Sequence, residues 1–173
     1  VDFMQAKVER DGKTVEFVDL PGIYDLDGFT EDEKVVQDFL EQYSFDLIVC
    51  VINASQIDRQ ILLPLQLKKL GIPSLVALNM ADEVKRFGVK INTQKLSQYL
   101  EMPVFTISAK YGAGCSLAID GIWNTVNDIS DSYKVTELVE FCRENKISDA
   151  EIQESLDQGI EMPPENLVTF TNR

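Results

Sequence analysis

The chain contains no histidine, which removes imidazole acid/base catalysis, the Ser-His-Asp and Cys-His arrangements and most zinc sites. Its chemistry must come from carboxylates, amides, lysines, backbone N–H groups or a bound ion. Three short clusters offer such groups: Asp19-Leu20-Pro21-Gly22, Asn79-Met80-Ala81-Asp82 and Ser108-Ala109-Lys110. Taken singly, each is compatible with ordinary turn punctuation. Their meaning depends on the elements that position them.

A length of 173 residues with 45% hydrophobic content suits one domain with a real core, plus a small appendage. Residues 1–10 read as extended, Asp11-Gly12 as a two-residue turn, and 13–19 as the returning strand of a hairpin. Thr30 with Glu33 forms a capping box that opens a helix through Val35, Val36, Phe39 and Leu40. Leu47 to Ile52 is apolar at every position, which predicts a strand buried on both faces of a parallel sheet. A helix is predicted over 58–70, kinked or starting late because of Pro64. Strands at 74–78 and 104–107 flank a short helix at 93–100, and 116–129 reads as a closing helix. The order βαβαβ gives an α/β fold with a doubly wound, mostly parallel sheet, in which ligands sit at the carboxyl ends of strands. All three clusters fall there. Residues 1–129 hold this unit, and 130–173 form a helical appendage with short helices at 136–145 and 148–157, the second opened by Ser148 with Glu151. Gly159 and Pro163-Pro164 end it, and 166–173 is a tail without an assigned structure.

In chain order the clusters are similar to the third, fourth and fifth motifs of the GTPase superfamily: DxxG, a variant of NKxD, and SAK. Three in order at strand ends are far more specific than any one alone. The resemblance implies a physical role for each. Asp19 would hold a water of a phosphate-bound Mg²⁺, and Gly22 would let a bare backbone N–H approach the terminal phosphate. The Asp82 carboxylate would accept hydrogen bonds from the N1–H and exocyclic amine of guanine, an arrangement adenine does not present. Asn79 would brace the loop and reach the base edge, and the Ala109 N–H would meet the guanine oxygen. Further stretches sharpen the likeness: Asp19 to Tyr24, Val51-Ile52-Asn53-Ala54 with Asp58 to Ile61 and Leu65-Gln66-Leu67, Leu70 to Pro73, Ala77 to Glu83 with Met80 where most GTPases carry Lys, Gly88 to Ile91, and Leu100 to Val104. Together they resemble the cytosolic G domain of the FeoB family of ferrous iron transport proteins over roughly residues 1 to 125, and Thr171-Asn172-Arg173 is similar to the stretch before that family's membrane region.

That resemblance implies GTP and GDP as ligands with Mg²⁺, slow GTP hydrolysis by the complete parent protein, and a helical subdomain leading to a membrane pore for Fe²⁺. Met80 falls within the guanine motif, and Ser108, Ala109 and Lys110 form the base-flanking loop. The partner would be the membrane portion of the same parent chain, on the cytoplasmic face of the cell membrane. Ile23 stands where Ras-like proteins keep a water-positioning Gln, and an apolar side chain cannot orient water. A GTPase of this class also needs a P-loop, GxxxxGK(S/T), whose amides cradle the phosphates. Gly12-Lys13-Thr14 matches only its tail; the first glycine would fall at Lys7, and a strand follows rather than a helix. The P-loop, its strand and the switch threonine are therefore expected upstream of Val1. That strand would lie between those ending at Asp19 and Asn53, and without it two apolar strand edges would stand unpaired. The chain is accordingly expected to be a fragment, inactive alone and binding nucleotide poorly.

Sixteen basic and twenty-nine acidic residues give a net charge of −13, which argues against nucleic-acid or anionic-membrane binding, including an RNA-binding GTPase branch. The longest apolar run is far short of the ~20 residues that span a bilayer, so no direct membrane insertion is expected. Cys50, Cys115 and Cys142 show no paired spacing, which suits a reducing, cytosolic setting and structural roles. The acidic run of Asp25, Asp27, Glu31, Asp32 and Glu33 reads as a solvated loop and a dipole-favoured helix start rather than an Fe²⁺ site. Trp123 reads as core. The competing function is a non-catalytic regulatory or interaction module derived from a GTPase.

Overall fold

The computed structural model describes residues 3–161. Strands β1 (Met4–Arg10) and β2 (Lys13–Asp19) form the expected antiparallel hairpin. Asp11 and Gly12 at its tip have φ of 52° and 76°, the left-handed pair a two-residue hairpin turn requires. Gly12-Lys13-Thr14 is thus a turn and a strand start, not a phosphate loop. Helix α1 (Glu31–Gln42) has both halves of the Thr30–Glu33 capping box.

Strands β3 (Ile48–Asn53), β4 (Ser74–Asn79) and β6 (Val104–Thr106) form a parallel sheet in the order β3-β4-β6. Asn53 pairs with Asn79 at its carboxyl end. The connection from β3 passes through a 3₁₀ turn (Ala54–Gln56), α2 (Ile57–Gln60) and α3 (Leu62–Leu70). The helical stretch breaks at Ile61 and resumes so that Pro64 lies in the first turn of α3, where its missing N–H costs nothing. After β4 come α4 (Ala81–Arg86), the short β5 (Lys90–Ile91) and α5 (Thr93–Leu100). Helix α6 (Cys115–Asp128) follows β6 and buries Trp123.

The appendage comprises α7 (Leu138–Glu144), α8 (Asp149–Gly159) and β7 (Ile160–Glu161), which pairs antiparallel with β5. Ser148 and Glu151 complete the second capping box. Val135, Leu138 and Cys142 join the same buried cluster as Leu40, Val76 and Leu100, so the helical piece shares its core with the sheet. The expected reading of the tail, residues 166–173, lies outside the described residues.

One expectation fails. Strand β3 is not buried on both faces: Val51 is 59% exposed and Ile48 and Val49 only half-buried. The reason is its outer edge. The hairpin and the parallel sheet are separate, and a cavity of about 780 Å³ lies between β2 and β3. Phe17, Val49, Leu40, Leu67 and Ile122 are among the side chains lining it. The strand edges that end at Asp19 and Asn53 are unpaired toward each other, as expected from the sequence.

Candidate functional site

Strands β4 and β6 deliver two of the three clusters to one place. Ile107 N–H donates to Leu78 O (2.8 Å) and Ala81 N–H to Ile107 O (3.2 Å), so the loops that follow the two strands are laced together. At the junction Asn79 Oδ1 accepts two backbone N–H groups, those of Met80 (2.9 Å) and Ala109 (3.0 Å). Asn79 therefore ties the loops after β4 and β6 together. The Ala109 N–H, expected from the resemblance to meet a guanine oxygen, is donated to Asn79 Oδ1 instead. Met80 takes the left-handed conformation with φ 60°, which turns the chain abruptly into α4 and places the half-buried Asp82 in that helix's first turn.

Ser108 is buried, and its N–H bonds Ala113 O (2.8 Å), closing a tight loop that displays Ala109 and Lys110. Lys110 Nζ sits over the Tyr111 ring, 5.3 Å from its centroid. Gly114 makes the loop possible: with φ 75°, it lies where a Cβ would stand 2.2 Å from Thr106 O.

Asp19 and Gly22 lie at the end of β2, on the opposite side of the cavity, which both line. Among the described residues no hydrogen bond or ion pair joins them to Asn79–Asp82 or Ser108–Lys110. Gly22 has ordinary φ, and a Cβ there would meet nothing within 4 Å. Neither backbone conformation nor packing among the described residues requires a glycine at that position. Ile23 turns into the protein and packs on the core.

The acidic run is accounted for locally. Asp25 Oδ1 accepts from Gln66 Nε2 (2.7 Å), Asp27 pairs with Arg143 (3.1 Å), and Glu33 caps α1. Among the described residues no group of three His, Cys, Asp or Glu side chains converges on a metal position. Burial pushes the Cys50 thiol up to about 12 and, with Asp27 and Asp25 nearby, that of Cys142 to about 11, so both stay protonated and structural at neutral pH. Two further residues, to which the sequence assigns no role, bear on this loop: Gln37 on α1 and Gln66 on α3, both buried and bonded to the segment after Gly22. The available signal was a polar amide within an otherwise apolar run, as in Leu65-Gln66-Leu67.

A family model for ferrous iron transport protein B matches residues 1–122. The chain belongs to the FeoB family. The Fe(2+) transporter FeoB of Synechocystis sp. is 48% identical over 172 residues, covering 99% of this chain and 28% of that protein. The FeoB of Campylobacter jejuni is 41% identical over 107 residues, covering 62% of this chain and 18% of its own length. The chain thus spans under a third of these relatives. Among solved structures, the FeoB G domain of Methanococcus jannaschii matches with a TM-score of 0.68 at 32% identity, over 72% of this chain and 80% of that one. The cytosolic domain of L. pneumophila FeoB gives a TM-score of 0.75 at 19% identity, over 92% and 85% of the two chains, and that of T. maritima FeoB in a GDP form gives 0.69 at 23%, over 99% and 78%. These last two establish the fold: mixed α/β with a parallel sheet, as expected. Among the described residues no helix is long and apolar enough to cross a membrane.

Proposed function

We propose that this chain carries the guanine-recognition and phosphate-sensing elements of a GTP-binding, GTP-hydrolysing domain that serves a ferrous iron transporter. The observation that carries the reading is the Asn79 junction, where one side-chain oxygen ties the ends of two parallel strands. It fixes the Ala109 backbone beside the turn that presents Asp82. A carboxylate there selects guanine, because its two acceptors match the N1–H and exocyclic amine, and a mismatched base leaves a buried carboxylate unpaired, worth ~10⁴-fold. Met80 turns the chain at this edge, and Ser108 to Lys110 flank the base.

Gly22 supports the phosphate side of the reading. A glycine that its own chain does not need is explained by a ligand that approaches the backbone closely. Asp19, a hard oxygen donor at the same strand end, suits Mg²⁺ held through a water, and that ion supplies charge neutralisation at the phosphates when bound. Solved FeoB relatives have been described in GDP and GMPPNP forms. Ile23 is half-buried against the core and, being apolar, orients no water, so hydrolysis draws its help from elsewhere in the parent.

The phosphate cradle comes, in this reading, from a strand and GxxxxGK(S/T) turn of the parent protein seated between β2 and β3, where the cavity has apolar helices around it and free strand edges on either side. Residues 1–129 then form the nucleotide portion, and 130–173 lead toward the membrane portion of the same protein at the cytoplasmic face. The test is a titration of the complete parent with fluorescent GDP, competed with GDP and ADP. Guanine recognition requires ADP to compete at least a hundredfold more weakly; equal competition refutes it.

A further inference from the structure

The loop from Leu20 to Thr30 is divided by its hydrogen bonds. Leu20 to Tyr24 make none with another described residue: Leu20 and Ile23 rest on the core through apolar contact, and Tyr24 is 61% exposed. From Asp25 onward the loop is tethered. Gln66 donates through Nε2 to Asp25 Oδ1 (2.7 Å) and accepts the Leu26 N–H at Oε1 (2.9 Å). Gln37 Nε2 donates to Leu26 O (2.7 Å) and Gly28 O (3.1 Å). Asp27 N–H closes a turn on Asp25 Oδ1 (2.8 Å), and the Leu26 side chain is 1% exposed. Both amides of one residue's flanking main chain are therefore gripped by buried glutamines from two different helices.

A glutamine on the core face of a helix is costly unless its amide is satisfied. Among the described residues, no side-chain hydrogen bond of Gln37 or Gln66 serves its own helix; every one goes to residues 25–28. We propose that Gln37 and Gln66 are positioning residues that fix the far end of the phosphate-sensing loop at Leu26, confining nucleotide-driven rearrangement to Gly22, Ile23 and Tyr24. The inference rests on the nucleotide reading above and deepens it. With the far end fixed, engaging a terminal phosphate at the Gly22 N–H orders a three-residue segment. Without the clamp it must order the whole loop, and the entropy of that ordering opposes the GTP-bound arrangement while leaving GDP binding untouched.

Amide hydrogen exchange on the wild-type parent, with GDP and with a non-hydrolysable GTP analogue, tests the hinge without any variant. The expected result is equal, strong protection of Leu26 in both states and a change at Ile23 and Tyr24 between them. In the Gln66→Leu and Gln37→Leu parents, kcat for GTP hydrolysis should fall about tenfold with KM and GDP affinity within twofold of wild type, and Leu26 protection should drop in the first. Nucleotide-dependent exchange at Leu26 as large as at Ile23 overturns the inference, as does wild-type kcat in both variants. A parent that binds no guanine nucleotide sinks the nucleotide reading and this inference with it; one that binds GDP but shows Leu26 following the nucleotide sinks this inference alone.

Discussion

Asn79, Met80 and Asp82 show how few atoms the proposed guanine-recognition edge needs. One amide oxygen gathers two backbone N–H groups, one non-glycine residue accepts a left-handed turn at a cost of ~1–2 kcal/mol, and the chain is redirected into α4. Residues such as Val49 and Cys50 do the opposite work, filling space around the sheet. Cys50 offers a titration test of that role. Its thiol ionises near 9 when solvated and only at about 12 in the fold. Below pH 9 it is protonated in both states; above it the unfolded chain loses a proton that the native one keeps. Stability should therefore fall as pH rises from 9 toward 12, by up to ~1.4 kcal/mol per pH unit from this group. Urea midpoints at pH 8 and 10.5 should show a smaller alkaline loss in Cys50→Ala than in wild type, since the remaining titrations are common to both. An equal loss would mean that the thiol is not buried in solution.

At the level of elements, the Ser108–Ala113 loop depends on Gly114 more than on the residues it displays. A methyl group there would press on the Thr106 carbonyl, 2.2 Å away, in a backbone conformation that already disfavours side chains. Gly114→Ala should cost ~2–4 kcal/mol in thermal or urea unfolding and weaken GDP binding by the complete parent; an unchanged midpoint would refute the close packing. The slot between β2 and β3 makes a second claim. If a strand of the parent seats there, extending this chain to include it should raise Tm by at least ~5 °C, equivalent to ~2 kcal/mol in a domain of this size. No rise would remove that strand from the slot. The sequence was legible wherever the determinant is local. Asp11-Gly12 specifies its turn, and Thr30 with Glu33 and Ser148 with Glu151 specify their helix starts, because each satisfies its own backbone within four residues. Strands β5 and β7 were not legible, since two-residue strands carry no periodicity and pair across about seventy residues. The exposure of Val51 and the loop clamp of Gln37 and Gln66 were hidden for a related reason: composition reports that a residue is apolar or polar, while its neighbours decide what it faces.

On the scale of the molecule, the helical appendage is joined to the sheet at several points. Helix α8 lies on α5, with Gly159 against Leu96 and Lys69 paired to Glu151 at 3.2 Å, and Arg143 of α7 reaches Asp27 in the loop after β2. The ion pairs are partly exposed and add at most ~1 kcal/mol each. The shared core of Val135, Leu138 and Cys142 does more to hold the pieces together. A net charge of −13 disfavours an anionic ligand everywhere except where backbone N–H groups are arranged to receive it. The proposed guanine selection by a carboxylate fits such a molecule, since it would read the base and not the phosphates.

The most direct test exchanges that carboxylate. Asp82→Asn replaces one acceptor with a donor, which no longer suits the guanine amine but matches the oxygen that xanthine carries in its place. Competition titrations of the complete parent with GDP and xanthosine diphosphate should show wild type preferring GDP and Asp82→Asn losing at least ~100-fold in GDP affinity while gaining for the xanthine nucleotide. Equal GDP affinity in the two proteins, with no gain for xanthine, would contradict guanine recognition at this site.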